Sequence, residues 1–420
     1  MKFFTRKTTL ALVCLSLSSS LMAQQPLNSP SKSPNDWLNQ QINQHPEIVA
    51  AKAAMQSLVT NAKGQQLPIY NPELATGFER EGSANNYAVG INQTIDWWDK
   101  QGARTTQADF IITQAKQNFH YLWQSKIAQA LQALVQWHSA KKRANIALAQ
   151  EKQLGTLLDV VKQRQKTGDL GEIDAELTFL SLSQRLNQTA QAQVALQQAQ
   201  ARVKALLPDW QPQLQLLPEN GFNIDNYDLS MQLRQQYLTQ HPLVLAAKAS
   251  WKSSQSDAKL AALNAKADPT IGVSVGETDR EKTLGISFSM PLNIRNNYST
   301  QITAANQQAL SLEANLQAVL RQQKFAIQAS TDTVKTYQRS YFRWKKLMQG
   351  RDKRSQKLLT TQWQSGDIST PEYLLALSQR AEGIYAGIEL ETQFKLSQIE
   401  WLLQLGQINT ALKQLKQLKH

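Results

Sequence analysis

The sequence contains an internal duplication, and this duplication limits the possible folds more than any other property. His45-Pro46 and His241-Pro242 lie 196 residues apart, and each introduces a segment that contains Ala-Ala-Lys-Ala. Further along, Gly168-Asp169-Leu170 is matched by Gly366-Asp367-Ile368 at an offset of 198. Matches that occur in the same order along the chain indicate two tandem copies of one structural unit.

A long stretch without proline follows in each half. Residues 103–166 contain no proline, and their apolar residues step by four and three positions, as in the seam of a coiled coil. At a rise of 1.5 Å per residue, a helix over this range would be about 96 Å long. The seam residues are Ala108, Ile112, Ala115, Phe119 and Leu122, with counterparts at Ala305, Ala309, Leu312, Leu316 and Val319.

Each repeat is predicted to contain a helix, a strand pair, a very long helix, a Gly-Asp turn and a returning helix. The first repeat covers 35–207 with strands at about 72–96, and the second covers 228–404 with strands at about 269–292. A proline-broken connector at 208–227 separates them, and a C-terminal segment covers 405–420. The predicted helices are 35–66, 103–166 and 171–207 in the first repeat, and 228–266, 299–364 and 370–404 in the second.

The N-terminus has the pattern of a secretory signal peptide. Lys2, Arg6 and Lys7 precede a mostly apolar stretch that closes at Ala23, so a signal peptide at 1–23 and a linker at 24–34 are predicted. The single cysteine, Cys14, lies inside the apolar stretch without the small preceding residue of a lipoprotein signal. The mature chain would therefore have no thiol, which excludes disulfides and thiolate metal sites.

Both strand regions alternate large apolar residues with small or polar ones. Beyond the signal peptide no stretch approaches the ~18 apolar residues of a spanning helix, so any membrane span must be made of strands. The alternation predicts a barrel with its apolar side toward lipid and its small side toward a lumen. Polar turns are predicted at Glu79 to Asn86 and Thr278 to Lys282. The apolar positions are Tyr87, Val89 and Ile91, then Ile271, Val273 and Val275, then Leu284, Ile286, Phe288 and Met290.

Four strands are too few to close a barrel with an open lumen, so oligomerisation is expected. Three chains would supply about twelve strands, more than the eight-strand barrel that side chains fill. Trp97 and Trp98 end the first hairpin where an interfacial aromatic belt would lie. A soluble periplasmic protein with two edge hairpins is the alternative, and it would leave apolar strand faces exposed.

Charge and motifs exclude several functions. The net charge is +13, or +10 without residues 1–23. The cations are interpreted as scattered along helices without an aromatic-basic motif, which argues against nucleic-acid binding. No catalytic motif is present, so neither an enzyme nor a cofactor is expected.

His45 and His241 each precede a proline at a helix start, and this position explains them without a metal site. The aromatic residues Tyr337, Tyr341, Phe342 and Trp344 are expected to pack between helices.

The chain resembles the TolC-type outer-membrane efflux proteins over nearly all of its mature length. The resemblance lies in the tandem helix–β-hairpin–helix repeats, the two His-Pro starts and the two Gly-Asp turns. The passage from Gln93 through Trp97 and Trp98 to Arg104 is most similar to the CzcC/CusC-like heavy-metal efflux branch. The lipid-anchor cysteine of many relatives is absent, which implies anchorage by protein alone.

The resemblance implies a mainly α fold with a membrane β-barrel part. A homotrimer would form a 12-stranded barrel in the outer-membrane lipid of a Gram-negative cell, and long coiled-coil helices would form a periplasmic tunnel. The tunnel would dock onto a periplasmic adaptor, which links it to an inner-membrane pump, and the cargo would be heavy-metal cations. A drug-efflux duct, a type I protein-secretion duct and a soluble periplasmic coiled-coil adaptor are the alternatives. The docking tips would be Gly168, Asp169, Leu170, Gly366, Asp367 and Ile368.

The local sequence also predicts how the tips are built. In each Gly-Asp pair the glycine is expected to be left-handed and to end one helix, and the aspartate to cap the next. Charged residues near the tips could hold the tunnel shut until the adaptor docks. Arg164, Lys166, Asp169 and Asp367 are the candidates, and the sequence does not pair them.

Overall fold

The computed structural model describes residues 34–415, apart from 83, 169, 215–216, 218–221, 223 and 225. The described residues belong to one compact unit, Ser33–His420. The predicted signal peptide at 1–23 and all but the last residue of the predicted linker therefore lie outside the described residues. So does Asp169, one of the predicted tip residues.

The predicted fold class is confirmed, because long helices and one four-stranded antiparallel sheet make up the described chain. Both halves show the same order of elements. In the first half these are α1 (Pro34–Gln44), α2 (Pro46–Gln65), β1 (Glu73–Glu81), β2 (Ala84–Thr94), α3 (Lys100–Lys166) and α4 (Glu172–Leu206). In the second they are α5 (Met231–Gln240), α6 (Pro242–Asn264), β3 (Thr270–Thr278), β4 (Glu281–Ser289), α7 (Ser299–Met348), α8 (Arg351–Ser365) and α9 (Thr370–Gln404), followed by α10 (Ile408–Leu415).

The first helix of each repeat is divided at its His-Pro pair, where one continuous helix was predicted. Proline has no N–H to donate and disfavours helical geometry at the residue before it. His45 and His241 accordingly have extended backbones, with ψ of 131° and 132°. Each imidazole accepts a hydrogen bond from a backbone N–H of the following helix, from Glu47 for His45 and from Leu243 for His241, both at 3.3 Å.

The two very long helices differ, although the sequence predicted both to be continuous. Helix α3 runs unbroken for 67 residues, which at 1.5 Å per residue is about 100 Å. Its counterpart breaks between α7 and α8 at Gln349 and Gly350, so the prediction of one helix over 299–364 was wrong there. Gly350 has φ of +73°, a conformation that glycine adopts without steric cost and that ends the helix.

The sheet joins the two halves through its central strands. Its order is β1-β2-β3-β4, and β2 pairs with β3 in the register that sets Val89 opposite Val275. The predicted turn from Glu79 to Asn86 is mostly strand, since the ladder runs from Glu79 opposite Asn86 to Glu81 opposite Ala84. Asp279 and Arg280 turn the second hairpin with φ of 48° and 71°, the pattern of a type I′ turn.

The main hydrophobic core lies where α3 and α9 meet the short helices and the connector. Leu131 of α3, Ile399 of α9 and Ile42 of α1 are fully buried there. In this core Trp137 and Trp210 form an edge-to-face pair with centroids 4.7 Å apart, so the connector is fixed to α3. As predicted, Tyr341 packs between helices, stacked on Phe394 of α9 at 5.8 Å. Among the described helices, none combines enough length with enough hydrophobicity to cross a bilayer.

Candidate functional site

One face of the sheet is apolar and exposed. The register aligns Leu74 with Ile91, Val89 with Val275, and Val273 with Ile286 across the four strands. Ile286 is 80% exposed, which for an isoleucine in the middle of a strand is far from the usual burial. The exposed members of this face are Leu74, Phe78, Tyr87, Val89, Ile91, Ile271, Val273, Val275, Leu284, Ile286 and Phe288.

The opposite face consists mostly of glycine, alanine, serine, threonine and asparagine, together with Glu73 and Glu79 of β1. Its surface is tightly packed around Gly272, where a Cβ would lie 2.0 Å from Asn92 Oδ1 and 2.3 Å from Ser287 Oγ. Near the helical end of the sheet, the hydroxyls of Thr94 and Thr270 share a hydrogen bond of 2.8 Å. Around Gly272 this face therefore leaves no room for a larger side chain, and along its length it presents polar atoms.

The outer strands of the sheet leave two open edges. Within the described chain, β1 pairs only with β2, and β4 pairs only with β3. Open edges with an apolar face are a strong template for pairing with another chain. The open edges of β1 and β4 therefore favour pairing with strands of another chain.

A buried polar network joins the sheet to the long helix α3. Lys100 Nζ forms an ion pair with Asp268 Oδ2 at 2.8 Å, and both side chains are more than nine-tenths buried. The Tyr70 hydroxyl donates to the same carboxylate oxygen at 2.7 Å. Burial and the hydrogen bond to Asp268 raise the pKa of Tyr70 to about 12. No motif in the sequence predicted this network; its only local signal is that Asp268 lies just before β3 and Lys100 begins α3.

The start of α3 is fixed by aspartates and tryptophans. Asp96 accepts hydrogen bonds from the backbone N–H groups of Lys100 at 2.8 Å and Gln101 at 2.7 Å, which satisfies free donors of the first turn. Trp98 donates from Nε1 to the carbonyl of residue 267 at 2.9 Å, and Lys266 Nζ lies 4.4 Å above its ring. Trp97 is 67% exposed. Trp98 is thus anchored and Trp97 projects outward, and their role as an interfacial belt stays a prediction.

The Gly-Asp tips have the predicted glycine conformation. Gly168 and Gly366 have φ of +81° and +83°, and a Cβ at either position would meet no atom within 4 Å. The predicted capping role of aspartate is wrong for Asp367. Helix α9 is capped by Ser369, whose hydroxyl accepts from the Glu372 N–H while the Glu372 carboxylate accepts from the Ser369 N–H. This Ser-x-x-Glu capping box lies two residues later and provides the stronger N-cap.

The remaining tip residues have other partners. Asp367 Oδ2 accepts from the Ser365 hydroxyl at 2.7 Å, and the Asp367 N–H donates to the Gln362 carbonyl at 2.9 Å. In the first repeat α4 begins after Gly171, which provides no side-chain cap. Leu170 and Ile368 are half-buried, and both pack against a small apolar cluster below the tips.

That cluster, hereafter the tip cluster, connects the two helical hairpins. It consists of Leu154, Leu157, Val161, Trp363 and Tyr373. The rings of Trp363 and Tyr373 stack with centroids 5.3 Å apart. Arg164 of α3 lies over the Trp363 ring and donates to the Gln364 carbonyl at 3.3 Å. Of the three gating candidates that the structure describes, Arg164, Lys166 and Asp367, Arg164 is thus the one that bridges the repeats.

A second link between the halves lies further from the tips. Glu391 of α9 accepts from Lys142 of α3 at 2.7 Å and from Lys395 of its own helix at 2.8 Å. Burial raises the pKa of Glu391, but the hydrogen bonds from the two lysines outweigh this, so its pKa lies below the usual value. The carboxylate is therefore ionised at neutral pH and ties α9 to α3.

The two His-Pro histidines act as helix caps. His241 is 1% exposed, and burial lowers the pKa of its imidazole to about 4, against a smaller effect of the Leu403 carbonyl. Since Nδ1 accepts from the Leu243 N–H, the ring is neutral and Nε2 faces Leu403 O at 3.4 Å. Within the described residues, no three His, Cys, Asp or Glu side chains are grouped to hold a metal ion.

Comparison with known proteins places this architecture among solved outer-membrane channels. No protein-family model and no curated protein matches the sequence. The outer-membrane channel OprN has a TM-score of 0.72 at 15% identity, covering 89% of this chain and 90% of its own. CusC, described in terms of folding and transmembrane channel formation, scores 0.74 at 12% identity over 89% of this chain and 92% of its own. The CmeC outer membrane channel of Campylobacter jejuni scores 0.72 at 13% identity over 97% and 98%.

The chain therefore has the fold of outer-membrane channel proteins. The expected TolC-type architecture is confirmed at the level of the fold. CusC is not separated from the other channels by these scores, so the heavy-metal branch stays a prediction.

Proposed function

We propose that the protein is an outer-membrane exit duct. Three copies would join their sheets edge to edge into a barrel of about twelve strands, with the long helices forming a tunnel in the periplasm. The observation that carries this proposal is the sheet, which has an exposed apolar face, a small polar face and two open edges. Lipid would cover the apolar face, and the small face would line water.

Edge closure explains why the protomer alone is incomplete. Pairing of β1 with β4 of the next copy would satisfy the free backbone donors and acceptors that each edge exposes. Trp97 and Trp98 at the helical end of β2 would lie at the boundary between lipid and periplasm. Outer-membrane lipid is thus the first partner of this surface.

The tips provide the second part of the proposed function. Gly168, Gly366 and Asp367 are exposed at the ends of the two hairpins, remote from the sheet by the length of the long helices. We assign them, with residue 169, to docking of a periplasmic adaptor that links the duct to an inner-membrane pump. Leu170 and Ile368 support this surface from below, because they pack on the tip cluster.

Heavy-metal cations are the first cargo hypothesis, and drugs or secreted polypeptides are the alternatives. A strain that lacks the gene would be tested for growth in metal salts and in a panel of drugs. Under the cation hypothesis, sensitivity to metal salts rises and returns to normal on complementation. Unchanged metal tolerance with raised drug sensitivity would replace it with the drug hypothesis.

The duct itself is tested by fractionation and conductance. We expect the protein in the outer membrane, as a trimer that dissociates on heating, and purified trimers should conduct ions across a planar bilayer. The rival function is a soluble periplasmic coiled-coil adaptor. A protein recovered wholly in the soluble periplasmic fraction would exclude the duct and favour this rival.

A further inference from the structure

The positive charge of the chain is concentrated in one segment. Residues 335–357 contain nine Lys or Arg residues and a single Asp, a net charge of +8, whereas the whole chain has +13. The view from the sequence that cations are scattered along the helices was therefore wrong for this segment. It spans the end of α7 and the first half of α8.

Six of these cations are exposed on α7 and α8 and are hereafter called the basic stripe. In α7, Arg339, Arg343 and Lys346 recur at spacings of four and three, on the face opposite the buried Tyr341. In α8, beyond the break, Arg351, Arg354 and Lys357 recur at a spacing of three. All six are exposed, and none forms an ion pair with a carboxylate of the described chain.

The corresponding segment of the first repeat has fewer cations, and two of them are paired. Its corresponding residues, about 138–160, contain four Lys or Arg and two acidic residues. Lys142 there pairs with Glu391 at 2.7 Å, and Arg143 pairs with Glu389. In the first repeat two of the four cations are thus paired within the protomer. In the second, Lys335 pairs with Asp228, but the six cations of the basic stripe have no ion pair with a described carboxylate.

In the proposed ring of copies, a second copy would not supply the missing negative charge. Within one chain α4 packs on α3 and α7 packs on α9, so in a ring α4 of one copy would lie next to α7 of another. Between 177 and 206, α4 contains no Asp or Glu. Like charges three and four residues apart destabilise a helix. The cations of the basic stripe therefore repel one another, and an acidic partner would relieve this repulsion.

Exposed apolar side chains within the stripe indicate the form of that partner. Phe342, Leu347 and Leu358 are 50%, 57% and 54% exposed among the cations. Apolar residues flanked by charges along a helix are typical of a seam that receives a second helix. A purely anionic polymer has no apolar groups that could pack against these residues.

We propose that the basic stripe of α7 and α8 is a docking surface for an acidic amphipathic helix of a partner protein. The surface lies along the helices, away from the Gly-Asp tips. The inference rests on the proposed function only for the source of the helix, which would be the periplasmic adaptor. The acidic and amphipathic character of the partner helix is inferred only from the charge and exposure of the residues in the basic stripe.

The test uses the purified full-length protein and a synthetic helix with leucine at its a and d positions and glutamate at e and g. We expect salt-dependent binding to the wild type. Reversal of three charges, R339E/R343E/K346E, should weaken binding about tenfold and create binding of the lysine version of the helix. The matched control K52E/K248E/K259E changes three exposed lysines of α2 and α6 and should bind as the wild type does.

Three results would overturn the proposal. Poly-L-glutamate binding as tightly as the helix would indicate general attraction of anions. An equal loss of binding in the control variant would indicate that only net charge matters. A changed oligomeric state of R339E/R343E/K346E, measured by native mass spectrometry, would make the stripe an interface between copies. Bilayer conductance separates this inference from the proposed function, because a duct that conducts but does not bind the helix loses only the docking surface.

Discussion

Arg164 of the first repeat lies over the indole ring of Trp363 in the second, with its guanidinium carbon 5.1 Å from the ring centroid. The same guanidinium donates to the Gln364 carbonyl, so one side chain holds the ends of α3 and α8 together. Each protomer would contribute such a contact near the periplasmic end of the proposed tunnel. We therefore expect this contact to oppose opening of the tips.

Removal of this contact should favour the open tunnel. Arg164→Gln deletes a cation–π interaction of about 0.5–1 kcal/mol, which corresponds to roughly a two- to fivefold shift between closed and open states. Single-channel recordings of purified trimers should show a higher mean conductance. Lys162→Gln is the control, since Lys162 is exposed on the same helix and has no partner among the described residues. Equal conductance in Arg164→Gln and wild type would contradict a gating role.

Charge reversal at a tip should block adaptor docking without harming the fold. Asp367 is exposed and bonded only locally, to Ser365 and Gln362, so Asp367→Arg should leave the trimer intact and reduce efflux severely. Gly366→Ala controls for backbone strain, because a left-handed alanine costs about 1–2 kcal/mol. Efflux is measured in cells and trimer content on unheated gels. Normal efflux in Asp367→Arg would remove Asp367 from the docking surface.

Leu170→Asp is a different kind of change. Leu170 packs on the tip cluster, so a charge there disturbs the hairpin as well as the surface. We expect this variant to lose efflux together with thermal stability of the trimer. Loss of efflux at unchanged stability would instead show that Leu170 acts through direct contact with the partner.

Acid should destabilise the protein through His241. Its pKa falls from the usual 6.5 to about 4 in the folded chain, so the unfolded chain takes up the proton first. The neutral ring therefore contributes stability that is fully present above pH 6.5 and is lost as the pH falls toward 4. The shift corresponds to about 3 kcal/mol.

The matched variant for this effect is His241→Asn, which keeps a capping side chain that does not titrate. Thermal unfolding of wild type should drop more steeply between pH 7 and pH 4 than that of His241→Asn. His45→Asn repeats the change at the half-buried cap of the first repeat and controls for the cap itself. Parallel profiles for wild type and His241→Asn would exclude His241 as the titrating group.

The network below the sheet should be intolerant of losing one charge. Asp268→Asn leaves the buried Lys100 ammonium without its counter-charge, which typically costs about 3–5 kcal/mol. The temperature at which the trimer dissociates should fall markedly. In the double variant Lys100→Met/Asp268→Asn the buried charge is gone, and much of the loss should be recovered. A double variant no more stable than Asp268→Asn would argue against desolvation of Lys100 as the cause.

The sequence alone predicted the elements whose signals are local or periodic. The duplication, the heptad steps of α3 and the alternation of β3 and β4 each follow from spacing along the chain, which backbone geometry converts directly into helices and strands. Gly168 and Gly366 were predicted to be left-handed because glycine commonly ends a helix in that conformation. The break at Gly350 was missed because a single glycine within a periodic pattern is often tolerated in a helix.

Only the tertiary structure determined which side chains meet. Lys100 and Asp268 are 168 residues apart, as are Gln41 and Asp209, and neither pair has a signal in the sequence because contact depends on how α3, the sheet and the connector pack. Ser369 replaced Asp367 as the cap of α9 because its hydroxyl and the Glu372 carboxylate satisfy each other's backbone donors. The concentration of Lys and Arg at 335–357 can be counted in the sequence, but which of these cations are exposed and lack an ion pair was decided by the positions of the carboxylates in three dimensions. Local chemistry thus specified the elements, and packing specified the site.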